Sequence, residues 1–441
     1  MRPLQLEYQI LHFHFKLNIP RALLSASCIS KLSRTRHSRD RRLSTMAEPP
    51  VKKQKISKPV VFTTPGHLPD TRLVVFDQEF HVHSILLKLH SAYFRMFLDS
   101  PDKAPKATTV PTSATARDPS TTAATSFISL NGLSGSFKYH WVTKIDGDDS
   151  SGWYLTAAKP NTDSTSTAAF SGNLFREIKM FKAMLCAFYV NPYCISSCSE
   201  LSILTRLADF YCALPIVSRT LNMAFLSSPD LINDLPNHRC EAIELATKLR
   251  NKILFREALV WIVGPWSMPM YHTLEDTKLR KIAHKVYADI ALKIVDINHK
   301  LLAVISHEVN VVKMEIEDSP VKRAMDQAMD QAITRTNRRG DFYMPRYFRE
   351  LDKALRAYSI YPLEELLEDA MNGLLRNNLL LNKGTLKSGK ATPVIPEEEN
   401  NIDDEEIPEE VRPETRSMED HFLCAEIEDE DLPWDVNETD F

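Results

Sequence analysis

Glycine is scarce in this chain, 11 residues in 441, and none stands in a G-x-G-x-x-G or G-x-x-x-x-G-K-[ST] arrangement. Both phosphate cradles need glycine so that backbone amides can reach the oxyanion, so their absence argues against a nucleotide-driven enzyme. Long apolar runs are lacking too. The longest uncharged stretches, Ala183–Ser199 and Ala258–Leu274, are broken by Pro192 and by Gly264, Pro265 and Pro269. Neither offers the roughly 20 continuous apolar residues of a membrane span. The seven cysteines (28, 186, 194, 198, 212, 240 and 424) are odd in number and scattered through apolar sequence, as reduced core thiols of a nuclear or cytosolic protein are. Cys194 and Cys198, with Cys212, His238 and Cys240 nearby, hold ligand-type atoms. Their C-x₃-C spacing has no second pair of standard spacing to match, so packed thiols are the reading and neither metal nor cofactor is expected.

What is present is a strong division of charge. The net of −4 resolves into +10 for residues 1–60, +4 for 61–395 and −18 for 396–441. Two polyelectrolyte ends flanking a nearly neutral body predict disordered termini, because like charges repel and little apolar surface is left to bury. In the leader, Ile10–Phe15 and the cluster Arg34, Arg36, Arg39, Arg41 and Arg42 have the composition of a mitochondrial transit peptide. Met46, however, opens MAEPPVKKQKISK and can itself start translation, so residues 1–45 read as an extension ahead of the translated protein. Lys52, Lys53 and Lys55 form a basic run that suits nuclear import, giving nucleus or cytoplasm as the compartment. The basic leader lacks interleaved aromatics, and no zinc-finger or basic-zipper signature accompanies it, which argues against nucleic acid as a partner.

Along the body, Leu73–Val75, a turn at Asp77–Gln78, and Phe80 and Val82 alternating with His81 and His83 predict a hairpin. Ile85, Leu86, Leu89, Tyr93, Phe94 and Phe97 follow at helical spacing. Residues 101–126 are rich in Thr, Ser, Ala and Pro and read as an insertion. A second hairpin is predicted at Phe137–Ile145 and Trp153–Ala157. Helices then dominate: a stripe at Phe175, Ile178, Phe181, Leu185 and Phe188 ends before Asn191–Pro192. A second runs through Leu201, Leu204, Leu207, Ala208 and Tyr211, and a third begins near Pro215. Apolar residues at 279, 282, 286, 290, 294, 297, 301 and 305 predict one long amphipathic helix or two in series. A polar stretch after Pro320 leads to a last helical pair, 347–358 and 363–380.

The string from Asp70 to Phe97 resembles the opening of a BTB/POZ domain, carried by Asp70, Leu73–Val75, Phe80, Val82, His83, Leu86, Ser91, Tyr93 and Phe94 at fixed offsets. FKAMLCAFYVNPY (181–193) is similar to the family's helix ending in an aromatic turn. LTRLADFYCALPIVSRTL (204–221) is similar to its L-x-x-L-A-D-x-Y helix pair, and 245–266 to the helical extension of filamentous-fungal members. The resemblance implies an α+β BTB/POZ fold, a small sheet with a helical cluster, followed by an all-α region. The boundaries that result are a leader at 1–58, the domain at 59–228 with an insertion at about 100–135, a helical extension at 229–310, a linker and helical pair at 311–391, and an acidic tail at 392–441.

The family implies a non-enzymatic interaction module that self-associates and, in many members, presents substrates to a cullin-type ubiquitin ligase; in others it serves as a transcription-regulatory scaffold. Phe97-Leu98-Asp99 stands where cullin-binding members carry an apolar residue, any residue, then Glu; Asp replaces the Glu, and Pro101 follows at once. His83 reads as a structural histidine between hairpin and helix. Asp70 reads either as a cap or dimer-seam pair, or as the end of the loop before the first strand. An enzyme sited in 279–380 is the remote alternative, but His284 and Asp289 lie five apart and do not share a helix face. Lys313 and Ser319 fit short sumoylation and proline-directed kinase patterns in an expected exposed linker.

Overall fold

The computed structural model describes residues 58–100, 137–146, 152–158, 170–266, 269–334, 342–360, 365–381 and 418–438. The basic leader with Lys52, Lys53 and Lys55, and the Ser/Thr-rich insertion from 101 onward, lie outside them.

The first hairpin forms where the apolar alternation predicts it. Strand β2 (Thr71–Val75) pairs antiparallel with β3 (Gln78–Val82), placing Leu73 opposite Phe80. The two-residue turn is Phe76–Asp77, one residue before the expected Asp77–Gln78, because Gln78 already pairs with Val75, and such a turn needs a left-handed first residue. In this glycine-poor chain Phe76 takes it at φ 53°, held by its N–H donating to Thr143 Oγ1 at 2.9 Å, with its ring against Trp153 and Phe170. The second predicted hairpin, β4 (Tyr139–Ile145) and β5 (Trp153–Ala157), joins through a parallel β2–β4 pairing. The short β1 (Val60–Val61) adds parallel to β3, giving the order β1-β3-β2-β4-β5.

Over this sheet lie α1 (Ser84–His90), α2 (Ala92–Phe97), α3 (Leu174–Phe188), α4 (Cys198–Phe210) and α5 (Leu214–Leu226). Phe80, Val82 and Phe94 are fully buried in one core with Phe181, Leu185 and Leu204. Two predicted stripes shift. In α1 the buried residue is Leu87, whereas Leu86 is half-exposed and Ile85 and Leu89 are open to solvent. In α3 Phe175 is 75% exposed, and burial runs instead through Met180, Phe181, Met184, Leu185 and Phe188. A seven-residue helix crossing a sheet buries only one turn's inward position, so apolar spacing alone does not choose among its neighbours.

The helical half follows with α6 (Pro229–Asp234), α7 (Arg239–Leu249), α8 (Lys252–Val263) and α9 (Thr277–Asn310). Helix α7 packs on α4, α5 and α8. The long periodicity resolves into one helix of 34 residues, capped by Asp276 accepting from Lys278 and Leu279 N–H. Its buried stripe is Leu279, Ala283, Val286, Ile290, Ile294, Ile297, Leu301 and Val304, so Ala283 and Val304 take the places expected of Ile282 and Ile305.

Three further helices are α10 (Pro320–Thr334), α11 (Met344–Ala357) and α12 (Glu365–Leu375). The first corrects the expected polar linker. Ser319 Oγ accepts from Lys322 N–H, and Pro320 occupies the first helical position, a normal helix start. The stripe beneath is Val321, Ala324, Ala328 and Ala332, all at most 1% exposed. Small alanines carry this contact, so no run of bulky residues announces it. Helix α12 also ends at Leu375, short of the expected 380.

The far end of the acidic tail departs furthest from expectation. Residues 392–417 lie outside the described set, but Met418–Glu438 packs onto the helical half. Phe422, Leu423, Cys424 and Ala425 are at most 3% exposed, and Ile427 and Leu432 are buried. Phe422 N–H donates to Gly264 C=O at 3.0 Å, and Asn378 N–H to Leu423 C=O at 2.9 Å. Arg346 pairs with Asp420 at 2.7 Å, Lys293 with Glu426 at 2.9 Å and Lys285 with Asp431 at 2.6 Å. Segment-wide charge conceals these apolar anchors and the distant cations that match the acids.

Candidate interaction surface

The residues at the domain's opening hold the hairpin against the helices. Asp70 Oδ1 accepts from Ser84 N–H at 2.6 Å, and Oδ2 from Ser84 Oγ at 2.5 Å. The carboxylate therefore caps the start of α1 from the end of the preceding loop, joining two of the roles open to it. Partial burial raises its pKa, but the hydrogen bonds from Ser84 and Thr71 outweigh this and hold it below its ordinary value. A carboxylate whose folded pKa is depressed contributes stability above the unfolded value, near 4, and loses it as pH falls through the folded value. Asp70→Ala is therefore expected to lower stability by about 1–2 kcal/mol at pH 7. In urea titrations from pH 7 to pH 2.5, the gap to the parent should narrow below about pH 4. A gap that stays constant would remove the capping role.

His83 sits one step further along. Its backbone N–H donates to Tyr189 Oη at 2.8 Å, its Nδ1 lies 2.8 Å from the same hydroxyl, and its Nε2 lies 3.3 Å from His67 C=O. The ring thus ties the hairpin to the end of α3 and to the loop before β2, and no catalytic partner faces it. Tyr189 closes this junction, and burial pushes its phenol up to about 12. Ser91 caps α2 by accepting from Phe94 N–H at 3.1 Å, while its hydroxyl donates to Tyr211 C=O at 2.5 Å. The Tyr93 hydroxyl donates to Leu155 C=O at 3.0 Å, and the Tyr211 hydroxyl accepts from Leu155 N–H at 3.1 Å. Two phenols thereby occupy the outer backbone groups of β5 at Leu155, so this edge is not the open strand that a partner would extend. The sequence places Tyr211 on a helical stripe, closing the L-A-D-x-Y run, and Tyr189 in an aromatic turn, but assigns neither hydroxyl its bonding role.

Phe97 is partly buried, and Asp99 stays at the surface, 58% exposed, though both of its oxygens are engaged. Phe97 packs on Tyr93 with centroids 4.8 Å apart, and Leu98 is 1% exposed. Asp99 accepts from Lys88 Nζ at 2.6 Å and from the Tyr139 hydroxyl at 2.5 Å. The Lys88 ammonium first, and then the Tyr139 hydroxyl, lower its pKa. The large apolar side chains that face solvent nearby are Leu68 in the loop before β2, Ile85 and Leu89 four apart on α1, and Met96 on α2, each 62–80% exposed.

The expected modification sites differ in access. Lys313 is exposed at φ 61°. Ser319, expected in open linker, is fully buried and donates to Glu308 Oε2 at 2.5 Å; its Ser-Pro pair is a helix start, which removes the hydroxyl from a kinase's reach. Of the cysteines and histidine considered for metal, Cys198 and His238 converge with Asp234, their ligand-type atoms within 4.8 Å of one another. Cys194 and Cys212 are exposed elsewhere, and Cys240 faces Thr273. Asp234 accepts from Cys198 N–H at 2.9 Å and pairs with His238 at 2.9 Å. Burial, then the carboxylates of Asp234 and Glu241, push the Cys198 thiol up to about 12.

A small mixed sheet roofed by helices, with its polar groups consumed in bracing and an apolar helix face left to solvent, defines a protein-interaction module. The module is a BTB/POZ domain: that family's model matches residues 61–118, of which 61–100 are described above. No curated protein and no solved structure matches the chain. No helix among the described residues is long and apolar enough to cross a membrane.

Proposed function

We propose that the chain is a scaffold that self-associates through its BTB/POZ domain and gathers protein partners in the nucleus or cytoplasm. The single observation that carries this reading is the exposed pair Ile85 and Leu89, 64% and 62% open on α1. Two branched side chains on one face of a helix that is otherwise braced to the sheet suit an isologous contact, in which the same patch meets its copy. Ligase recruitment is the weaker reading, since Leu98 is buried and Asp99 is engaged by Lys88 and Tyr139.

Sedimentation of the full chain tests the scaffold reading. Twice the chain mass is expected at micromolar concentration. Ile85→Asp with Leu89→Asp should give the single mass while leaving the thermal midpoint of the subunit fold nearly unchanged, because both residues are exposed and exposed substitutions are worth at most about 0.5 kcal/mol. A parent chain that sediments as a monomer throughout would sink the proposal.

A further inference from the structure

Met418–Glu438 resembles a bound peptide more than a continuation of the core. It carries nine acids and no Lys or Arg, and it meets a wall of cations. Lys252 and Arg256 reach Asp429, Arg250 reaches Glu438, and Lys278 donates to Pro433 C=O, beside the Lys285, Lys293 and Arg346 pairs already described. Glu426, Asp429 and Glu438 are more than half exposed, so their attraction operates near solvent and is screened by salt, whereas Asp420 and Asp431 are about nine-tenths buried and less screened.

Apolar anchors set its register. Phe422 enters beside Phe348 and Trp266, and the Trp434 ring meets Phe255 edge-on at 5.4 Å. The backbone is read as well: Gly264 C=O accepts from Phe422 N–H, and Asn378 bonds Leu423 C=O with its N–H and Ala425 C=O with its Nδ2. Side-chain pockets combined with main-chain bonds are how extended peptides are recognised. Gly264 permits the close approach, since a Cβ there would stand 2.9 Å from Phe422 C=O.

The segment leaves an open cleft along one side. This cleft, about 440 Å³ and open to solvent, lies between Arg256, Val260, Arg376, Asn378 and Leu380 on one side and Ala425–Glu428 on the other. Between the groove wall at Leu381 and Met418 lie 36 residues, enough chain to span roughly 120 Å when extended.

We propose that the groove lined by α8, α9, α11 and residues 376–381 is a recognition site for acidic, apolar-anchored peptides, and that the chain's own 418–438 segment occupies it in cis as an exchangeable ligand. In this state the site is closed to partners, and an acidic partner segment competes with a tethered occupant at millimolar effective concentration. This goes beyond the BTB/POZ assignment and stands or falls without it.

The test uses the full chain with a protease recognition sequence inserted after Asn400 and cut after folding. The cut tail should co-elute, be held more weakly in 0.5 M salt through loss of the screened pairs, and exchange for an excess of labelled synthetic 418–438 peptide. Peptide affinity for the cut and stripped chain should exceed that for the uncut chain by about 100-fold or more. Arg256→Glu with Lys285→Glu should weaken peptide binding at least about tenfold, and Gly264→Val should do the same without altering charge; circular dichroism melts check that each variant folds. A cut tail that excess peptide does not displace even in 0.5 M salt, or a stripped chain that loses its cooperative melt, overturns the proposal by making the segment structural. Cross-linking of the tail to a second copy overturns its cis assignment.

Discussion

Phe94→Ala is expected to cost about 3–5 kcal/mol in urea unfolding of the full chain, enough to leave the BTB/POZ part largely unfolded at 37 °C. Phe94 is fully buried and stacks on Tyr211 with centroids 5.3 Å apart and planes 5° from parallel, while the Trp141 ring stands edge-on at 6.2 Å. Three elements meet at that ring: α2 supplies it, α4 ends at its stacking partner, and β4 supplies the indole. Truncation leaves a cavity that none of them can close, because Tyr211 is pinned by its hydroxyl at Leu155 and by its carbonyl at Ser91. Leu86→Ala, from the half-exposed side of α1, serves as the contrast and should cost less than about 1 kcal/mol. Equal costs at the two positions would contradict the packing described here.

The same two residues show how far the fold was legible. Both lie in the run that resembles a BTB/POZ domain, and spacing marked both as apolar positions of short helices. Phe94 was readable because Ser91, three residues earlier, fixes where α2 starts and so which face turns inward. The α1 start gives no such local signal. Its cap comes from Asp70, fourteen residues back across the hairpin, so sequence neighbours could not decide between Leu86 and Leu87. Strands were legible because their period of two is unambiguous over five residues, and the parallel β2–β4 pairing was not, because it depends on chain that passes outside the hairpins. Helix α10 stayed hidden behind alanines and behind a Ser-Pro pair whose helix-starting meaning competes with its meaning as a kinase motif.

The interaction surface was legible only in part, for a different reason. Asp70, His83, Ser91 and Tyr93 stand out because they are polar or aromatic at fixed offsets, yet in the structure they brace the domain from within. Ile85 and Leu89 look like ordinary core positions until the sheet is placed beneath α1. A docking face is a statement about what is left uncovered, and three-dimensional packing alone assigns it.

Phe422→Ala is expected to have the second large effect, about 3–4 kcal/mol on the tail's attachment. Unlike the Phe94 change, it should leave the BTB/POZ part alone. Phe422 is fully buried, touching the rings of Trp266 and Phe348, and its amide is one of the few backbone bonds the segment makes to α8's end. Losing that anchor removes the register for Leu423 and Cys424, and the exposed ion pairs at Glu426, Asp429 and Glu438 are individually worth at most about 1 kcal/mol, too little to hold the segment at high salt. Amide hydrogen exchange reads the outcome directly. Protection should fall by two to three orders of magnitude across 419–432 and along the facing side of α8, while β2–β4 amides exchange at parent rates. If β2–β4 loosens in step, the tail and the BTB/POZ core unfold as one unit; if 419–432 keeps its protection, the ion pairs outweigh the anchor. Either result would reverse the order of strengths argued here, in which one buried aromatic ring outweighs a row of solvent-screened charges.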